Sequence, residues 1–175
     1  MERETTSEVK CPPVYKSYYN PLSLAGSFYS YEFGSTSESL CISQGSSIGV
    51  KTISIETGDE QSILALFEVE DIVNAFKKDN WVVESAKRNK INMSEIRDFK
   101  DVLNFPKDKL STSIQFSSSS FCIVGFEDGI AQVKFIGRGY VGGNSYWHAP
   151  MSFELPVKKI ALPFFDRKQF FYLVR

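Results

Sequence analysis

Short apolar runs of period two, broken at close intervals by turn-forming residues, dominate this chain, and that pattern predicts strands more often than helices. Residues 1–20 are expected to form an irregular arm, because Pro12-Pro13 excludes regular structure and Asn20-Pro21 marks a turn. Aromatic residues crowd positions 28–33, a strand expected to end at Gly34 and to be followed by a polar turn over 35–39. Positions 40–42 and 48–55 read as further strands, the second rich in β-branched side chains and closed by Gly58-Asp59. The apolar run 63–67 fits a buried strand or a helix entry and is read as strand. Ile72, Val73, Ala75 and Phe76 fall at helical spacing, with acidic residues before them and Lys77-Lys78 after. That charge order suits a helix macrodipole and predicts a helix over 70–79. Trp81-Val82-Val83 suggests a short strand. Asn92 with Glu95 three positions on is a capping-box spacing, and Ile96, Phe99, Val102 and Leu103 make one apolar stripe behind it. This second helix must stop by Phe105, since Pro106 disfavours helical geometry in the residue before it.

From Ser111 onward the period returns to two. The runs 121–126 and 130–136 flank Glu127-Asp128-Gly129, a hairpin signal because Asp-Gly tolerates the positive φ that tight turns need. The hairpin leads into a glycine- and aromatic-rich segment, expected to be a loop, that holds the sole histidine, His148. Positions 152–157 and 169–174 are late strands, and Pro156 places the first at an edge or a bulge. The reading is an α+β domain over 21–175: mainly antiparallel β-sheet, as a sandwich or half-barrel, with two short helices.

Composition narrows the class. A chain of 175 residues fits one domain. The formal net charge of -1 lacks the basic surplus a general nucleic-acid binder uses to neutralise phosphates. Cys11, Cys41 and Cys122 are an odd set with no C-x-x-C, which argues against both a disulfide framework and a zinc site. The chain opens on Met1-Glu2-Arg3-Glu4 with no apolar core behind it, so a soluble cytoplasmic protein without a membrane partner is expected.

Candidate chemistry was weighed at three places. Gly137 to Gly142 spells G-x-G-x-x-G after a strand, but the following Gly143-Asn144-Ser145-Tyr146-Trp147 is not helical, so no pyrophosphate-binding helix opens there. His148 could act as a base with Cys122 as nucleophile and Asp166 as orienter, yet Cys122 lies inside an apolar strand where thiols are inert. Carboxylates recur at Asp59-Glu60, at Glu68, Glu70 and Asp71, and at Glu127-Asp128, where turns and a helix start explain several of them. No catalytic set, cofactor motif or metal-ligand spacing is completed.

The heavy load of 15 Phe and 8 Tyr carries a different message. Tyr15, Tyr18, Tyr19, Tyr29, Tyr31, Tyr140, Tyr146 and Trp147 fall where loops or strand edges are expected, and such residues commonly anchor protein contacts. In general character the chain resembles the immunity proteins paired with bacterial toxins: small, often acidic and diverse, with no shared motif here to carry the likeness. It implies a non-enzymatic, toxin-neutralising inhibitor in a bacterial cytoplasm that meets a protein partner, a basic toxin domain, through Asp59, Glu68, Glu70, Asp71, Tyr140, Tyr146, Trp147 and His148. The rival readings are a small enzyme using His148 with Cys122 or a carboxylate, and a small-molecule or nucleic-acid-binding sheet.

Overall fold

The structure, a computed structural model, describes residues 14–38, 45–105, 113–141, 145–165 and 170–172. Two antiparallel sheets and a layer of short helices make up an α+β, mainly sheet fold. Sheet 1 has the order β3-β2-β1-β8, from β1 (Val14–Ala25), β2 (Phe28–Glu38), β3 (Gly45–Ser54) and β8 (Phe170–Tyr172). Sheet 2 holds β4 (Ser113–Gln115), β5 (Phe121–Glu127), β6 (Ile130–Val141) and β7 (Ser145–Pro156). Strand β7 pairs with β6 from Ile130↔Pro156 to Val141↔Ser145. Strand β5 pairs with the start of β6 and β4 with Arg138 to Tyr140. A strand has two edges, so β4 and β5 lie in line along the same one.

The β5–β6 hairpin forms as its sequence predicts, with Asp128 at φ 50° and Gly129 at φ 81°. Several other expectations are corrected. Residues 14–20 belong to β1, and Asn20-Pro21 is no turn; the chain runs on, with a register irregularity between Pro21 and Ser23. Strand β2 passes through Gly34 to Glu38, because the Tyr18 ring of β1 fills the space a side chain at Gly34 would need. The glycine-rich segment is not a loop. Gly137 to Val141 extend β6, and Arg138↔His148, Gly139↔Trp147 and Tyr140↔Tyr146 are strand partners. The expected strand at 40–42 lies outside the described residues.

Five α-helices and one 3-10 turn are present among the described residues, where two helices were expected. Helix α2 (Val69–Lys78) matches its prediction and buries Ile72, Val73 and Phe76. The run at 63–67 is not a strand: Ser62 accepts a hydrogen bond from the Leu64 amide, and α1 (Ile63–Leu66) buries Ile63 and Leu66. Trp81-Val82-Val83 is helical as well. Asp79 caps α3 (Asn80–Asn89) by accepting from the amides of Trp81 (2.9 Å) and Val82 (3.2 Å). The cap and the burial of Val82, Ser85 and Ala86 on one face override the β preference of two adjacent valines. The second predicted helix splits. Asn92 caps only the 3-10 turn Met93–Glu95, and the true capping box is Asp98 with Asp101, which starts α4 (Phe99–Leu103). The amides of Arg97 and Asp98 hold the Asp101 carboxyl below its usual range. A final short helix, α5 (Leu162–Phe165), packs under the β1–β2 turn.

The main core lies between the helices and one face of sheet 2. Phe121, Ile123, Val133, Phe135, Met151, Phe153 and Leu155 point into it and meet Ile63, Phe67, Ile72, Phe76 and Val102. Phe135 stacks on Phe116 at 5.3 Å, and Phe76 meets Phe116 and Phe105 edge-on. Sheet 1 joins by a different device. Ser23, Ser30 and Thr52 are adjacent across β1, β2 and β3, fully buried, and aimed at the free edge of β5. Ser23 Oγ donates to the Ile123 carbonyl, the Ile123 amide donates to Ser30 Oγ (3.0 Å), and Thr52 Oγ1 donates to the Phe121 carbonyl (3.2 Å). Ser30 and Thr52 also share a 2.9 Å bond. A row of hydroxyls thus does for β5 what a neighbouring strand would do, satisfying its backbone and covering its edge. Beside the row, Val50, Cys122 and Ile136 form a small second core.

Candidate functional site

Because sheet 1 turns hydroxyls inward, its aromatic residues stand on the other face. Tyr29, Tyr31 and Phe33 occupy alternate positions of β2, so period two puts all three on one side, and Tyr19 of β1 pairs with Phe33. Ring centroids lie 5.8 Å apart for Tyr29–Tyr31, 6.2 Å for Tyr31–Phe33, 6.1 Å for Tyr19–Tyr31 and 6.4 Å for Tyr19–Phe33. The result is a continuous aromatic stripe. Tyr19 is 73% exposed, and Tyr15, on the same face of β1, 72%. Lys51 of β3 sits 5.6 Å over the Phe33 ring and forms an ion pair with Glu60, so it adds a cation–π contact while its charge is balanced.

Glu60 leads round the end of β3 to a second feature. Residues 55–60 form an exposed turn tied by Gly58 N to Ser54 O (2.8 Å) and Ser54 N to Asp59 O (3.0 Å). Opposite it, α5 is fixed to the β1–β2 turn by Ser27 N to Phe164 O (2.8 Å). Between them lies a cleft of about 470 Å³ with Phe28, Leu66 and Ala161 at its base, Ile160 and Phe164 on one wall, and Glu56 and Asp59 at its rim. Only a residue without a side chain fits beneath α5, since a Cβ on Gly26 (φ 58°) would collide with the Phe164 carbonyl.

The sequence-predicted residues are distributed as follows. Asp59 stands on the cleft rim. Glu68 precedes α2 and pairs with Lys158 at 3.6 Å, while Glu70 and Asp71 fill the first turn of α2, where the helix dipole favours them. Asp71 also lines a polar cleft of about 440 Å³ with Asp79 and Glu154. Tyr140, Tyr146, Trp147 and His148 lie in strand at the far end of the β6–β7 hairpin; of their side chains nothing is described. The bridge Phe67↔Val157 sets Glu68 beside the opposite end of β7, about 30 Å along the strand from Trp147. The acidic and the hairpin aromatic candidates therefore do not form one patch.

The thiol–imidazole pairing fails on geometry. Cys122 is opposite Lys134 of β6, whereas His148 is opposite Arg138 on the other side of that strand. Their backbones stand about 13 Å apart along the sheet and two strands apart across it, beyond hydrogen-bond reach. Cys122 is also fully buried, and burial pushes its thiol up to about 12, so it stays protonated. Among the described residues, no three His, Cys, Asp or Glu side chains come together in a way that could hold a metal ion. Nor is any helix among them long and apolar enough to cross a membrane.

Sequence reasoning missed Phe33, Lys51, Glu56, Ile160 and Phe164. The i, i+2, i+4 spacing of Tyr29, Tyr31 and Phe33 announced a shared face, but not that it would be the outer one. Comparison with known protein families, with curated proteins and with solved structures gives no match for this chain.

Proposed function

We propose that this chain is a protein-binding domain that acts by surface complementarity, with the aromatic face of sheet 1 as its principal docking surface. The stripe of Tyr19, Tyr29, Tyr31 and Phe33 carries the proposal. The solvent side of an antiparallel sheet ordinarily alternates to polar residues, and contiguous tyrosines with free polar tips are the side chains most enriched at protein interfaces. The buried state of Cys122 and its separation from His148 weigh against the rival enzyme reading. A nucleic-acid reading needs Lys134, Arg138, Lys158 and Lys159 on one face. Lys158 instead donates to the Leu64 carbonyl (2.8 Å) and pairs with Glu68 at the far end of β7.

The narrower form of the proposal is an inhibitor that caps a basic toxin domain. Its support is the exposure of Asp59, Glu68 and Glu70, carboxylates open to a cationic partner. Co-purification from the native host, with wild type and Tyr19→Ser compared by mass spectrometry, tests the broad form. A protein held by wild type and lost from the variant is expected. Identical captured sets would remove the aromatic face from the mechanism.

A further inference from the structure

We propose that the cleft between the 55–60 turn and α5 receives an extended segment of a partner protein in which an apolar side chain lies next to a lysine or arginine. The inference rests on the protein-binding reading but concerns a surface that the aromatic stripe does not include.

The apolar half of the claim comes from what the cleft exposes. Its base is made of core residues, Phe28 and Leu66, each almost wholly buried, so the cleft opens onto the top of the hydrophobic core. Its walls stand in solvent. Ile160 is 79% exposed, Phe164 is 42% exposed, and Ile55, on the opposing turn, is 52% exposed. Phe164 is held in place by its backbone bond from Ser27 and by ring contact with Phe28 at 6.3 Å. An exposed apolar wall kept rigid in this way costs little ordering entropy on binding. A volume of about 470 Å³ is at the lower end for ligand clefts. Side chains that project beyond it extend the apolar surface outward, which suits one anchoring side chain on a longer segment.

The basic half comes from the charge at the rim. Glu56 and Asp59 both stand on the turn, and Glu56 Oε1 accepts from Ser27 Oγ at 3.1 Å, which fixes one carboxylate at the mouth. The cations closest in the fold are already paired: Lys51 with Glu60, and Lys158 with Glu68. The turn side of the cleft is therefore acidic, while Lys159 precedes Ile160 on the opposite wall. This asymmetry orients an incoming segment, with its apolar side chain over Phe28 and its cation toward Asp59.

The test is selection from a phage-displayed library of short random peptides against the full chain. Selected peptides are then titrated against wild type, Asp59→Lys, Ile160→Asp and Tyr19→Ser. The Asp59 side chain makes no hydrogen bond within the fold and Ile160 is exposed, so both cleft variants should keep the native circular dichroism and melting temperature. Enriched peptides should carry an apolar residue beside Lys or Arg. Their binding should weaken about tenfold in Asp59→Lys at low ionic strength, fall similarly in Ile160→Asp, and be unchanged in Tyr19→Ser. Peptides without Lys or Arg, or equal affinity for Asp59→Lys, would overturn the inference. Peptides lost only in Tyr19→Ser would overturn it while sparing the protein-binding reading. If nothing is enriched the cleft inference fails, and co-purification judges the broader reading by itself.

Discussion

Sheets 1 and 2 solve opposite problems. Sheet 2 buries its apolar alternation against helices, with Phe121, Phe135, Met151, Phe153 and Leu155 inward and Gln132, Ser152 and Glu154 outward. Sheet 1 inverts the arrangement over its central strands: Ser23, Ser30 and Thr52 face inward and Tyr19, Tyr29, Tyr31 and Phe33 face outward. The reason is what each sheet meets. Sheet 2 meets side chains, for which apolar packing is optimal. The buried side of sheet 1 meets a strand edge, whose amides and carbonyls must be hydrogen-bonded, and apolar residues there would leave them unsatisfied. The aromatic face is the consequence that reaches function.

The largest effect that separates the two sheets is expected at Phe135. Phe135→Ala removes the ring stacked between Phe116 and Phe153 and should cost about 3–5 kcal/mol in urea unfolding. Ser30→Ala is expected to cost about 1–3 kcal/mol, although it deletes a single oxygen, because the buried Ile123 amide loses its acceptor. Combined with Thr52→Val it should be non-additive, since the two hydroxyls bond one another. Additive losses would show that the hydroxyl row does not act as a unit.

Cys122 lies at the seam between the sheets, and its thiol sharpens the comparison through pH. The folded value of about 12 lies above the model value of 9.0, so the unfolded chain loses its proton first. The stabilisation is fully present below pH 9 and should be lost as pH rises from about 9 to about 12. Wild type should therefore lose more stability over that window than Cys122→Ala, as read by denaturant midpoints at each pH; parallel curves would show a solvated thiol. In a Cys11→Ser, Cys41→Ser background, thiol reagents should modify Cys122 only as fast as the protein opens. The smallest effect on stability is expected at the outer face. Tyr19→Ser should change unfolding by no more than about 0.5 kcal/mol while abolishing partner capture. A large destabilisation would make the stripe a packing device.

Much of this was legible locally. The β5–β6 hairpin followed from Asp128-Gly129, α2 from the spacing of Ile72, Val73 and Phe76, and the antiparallel α+β class from the prevalence of period two. The misreadings share a cause. At 63–67 and 81–83 the apolar residues are compatible with either period, and the outcome was set by single capping side chains, Ser62 and Asp79, and by contact with a distant sheet. The glycine-rich segment after Gly137 looked like a loop because its residues pair with positions about ten along the chain, across a turn the composition did not mark. Of the candidate site, Asp59 and the importance of exposed tyrosines could be read in advance. The cleft could not, because its parts come from β2, the 55–60 turn, α1 and α5.

The sequence alone therefore determined which segments could be strands, where a hairpin must turn, and that the aromatic load exceeded what turns and caps require. Which side of sheet 1 would be buried was decided by tertiary structure. Period two divides a strand into two faces without naming the inner one, and the choice fell to the unpaired edge of β5, which needed hydroxyls and so left the rings outside.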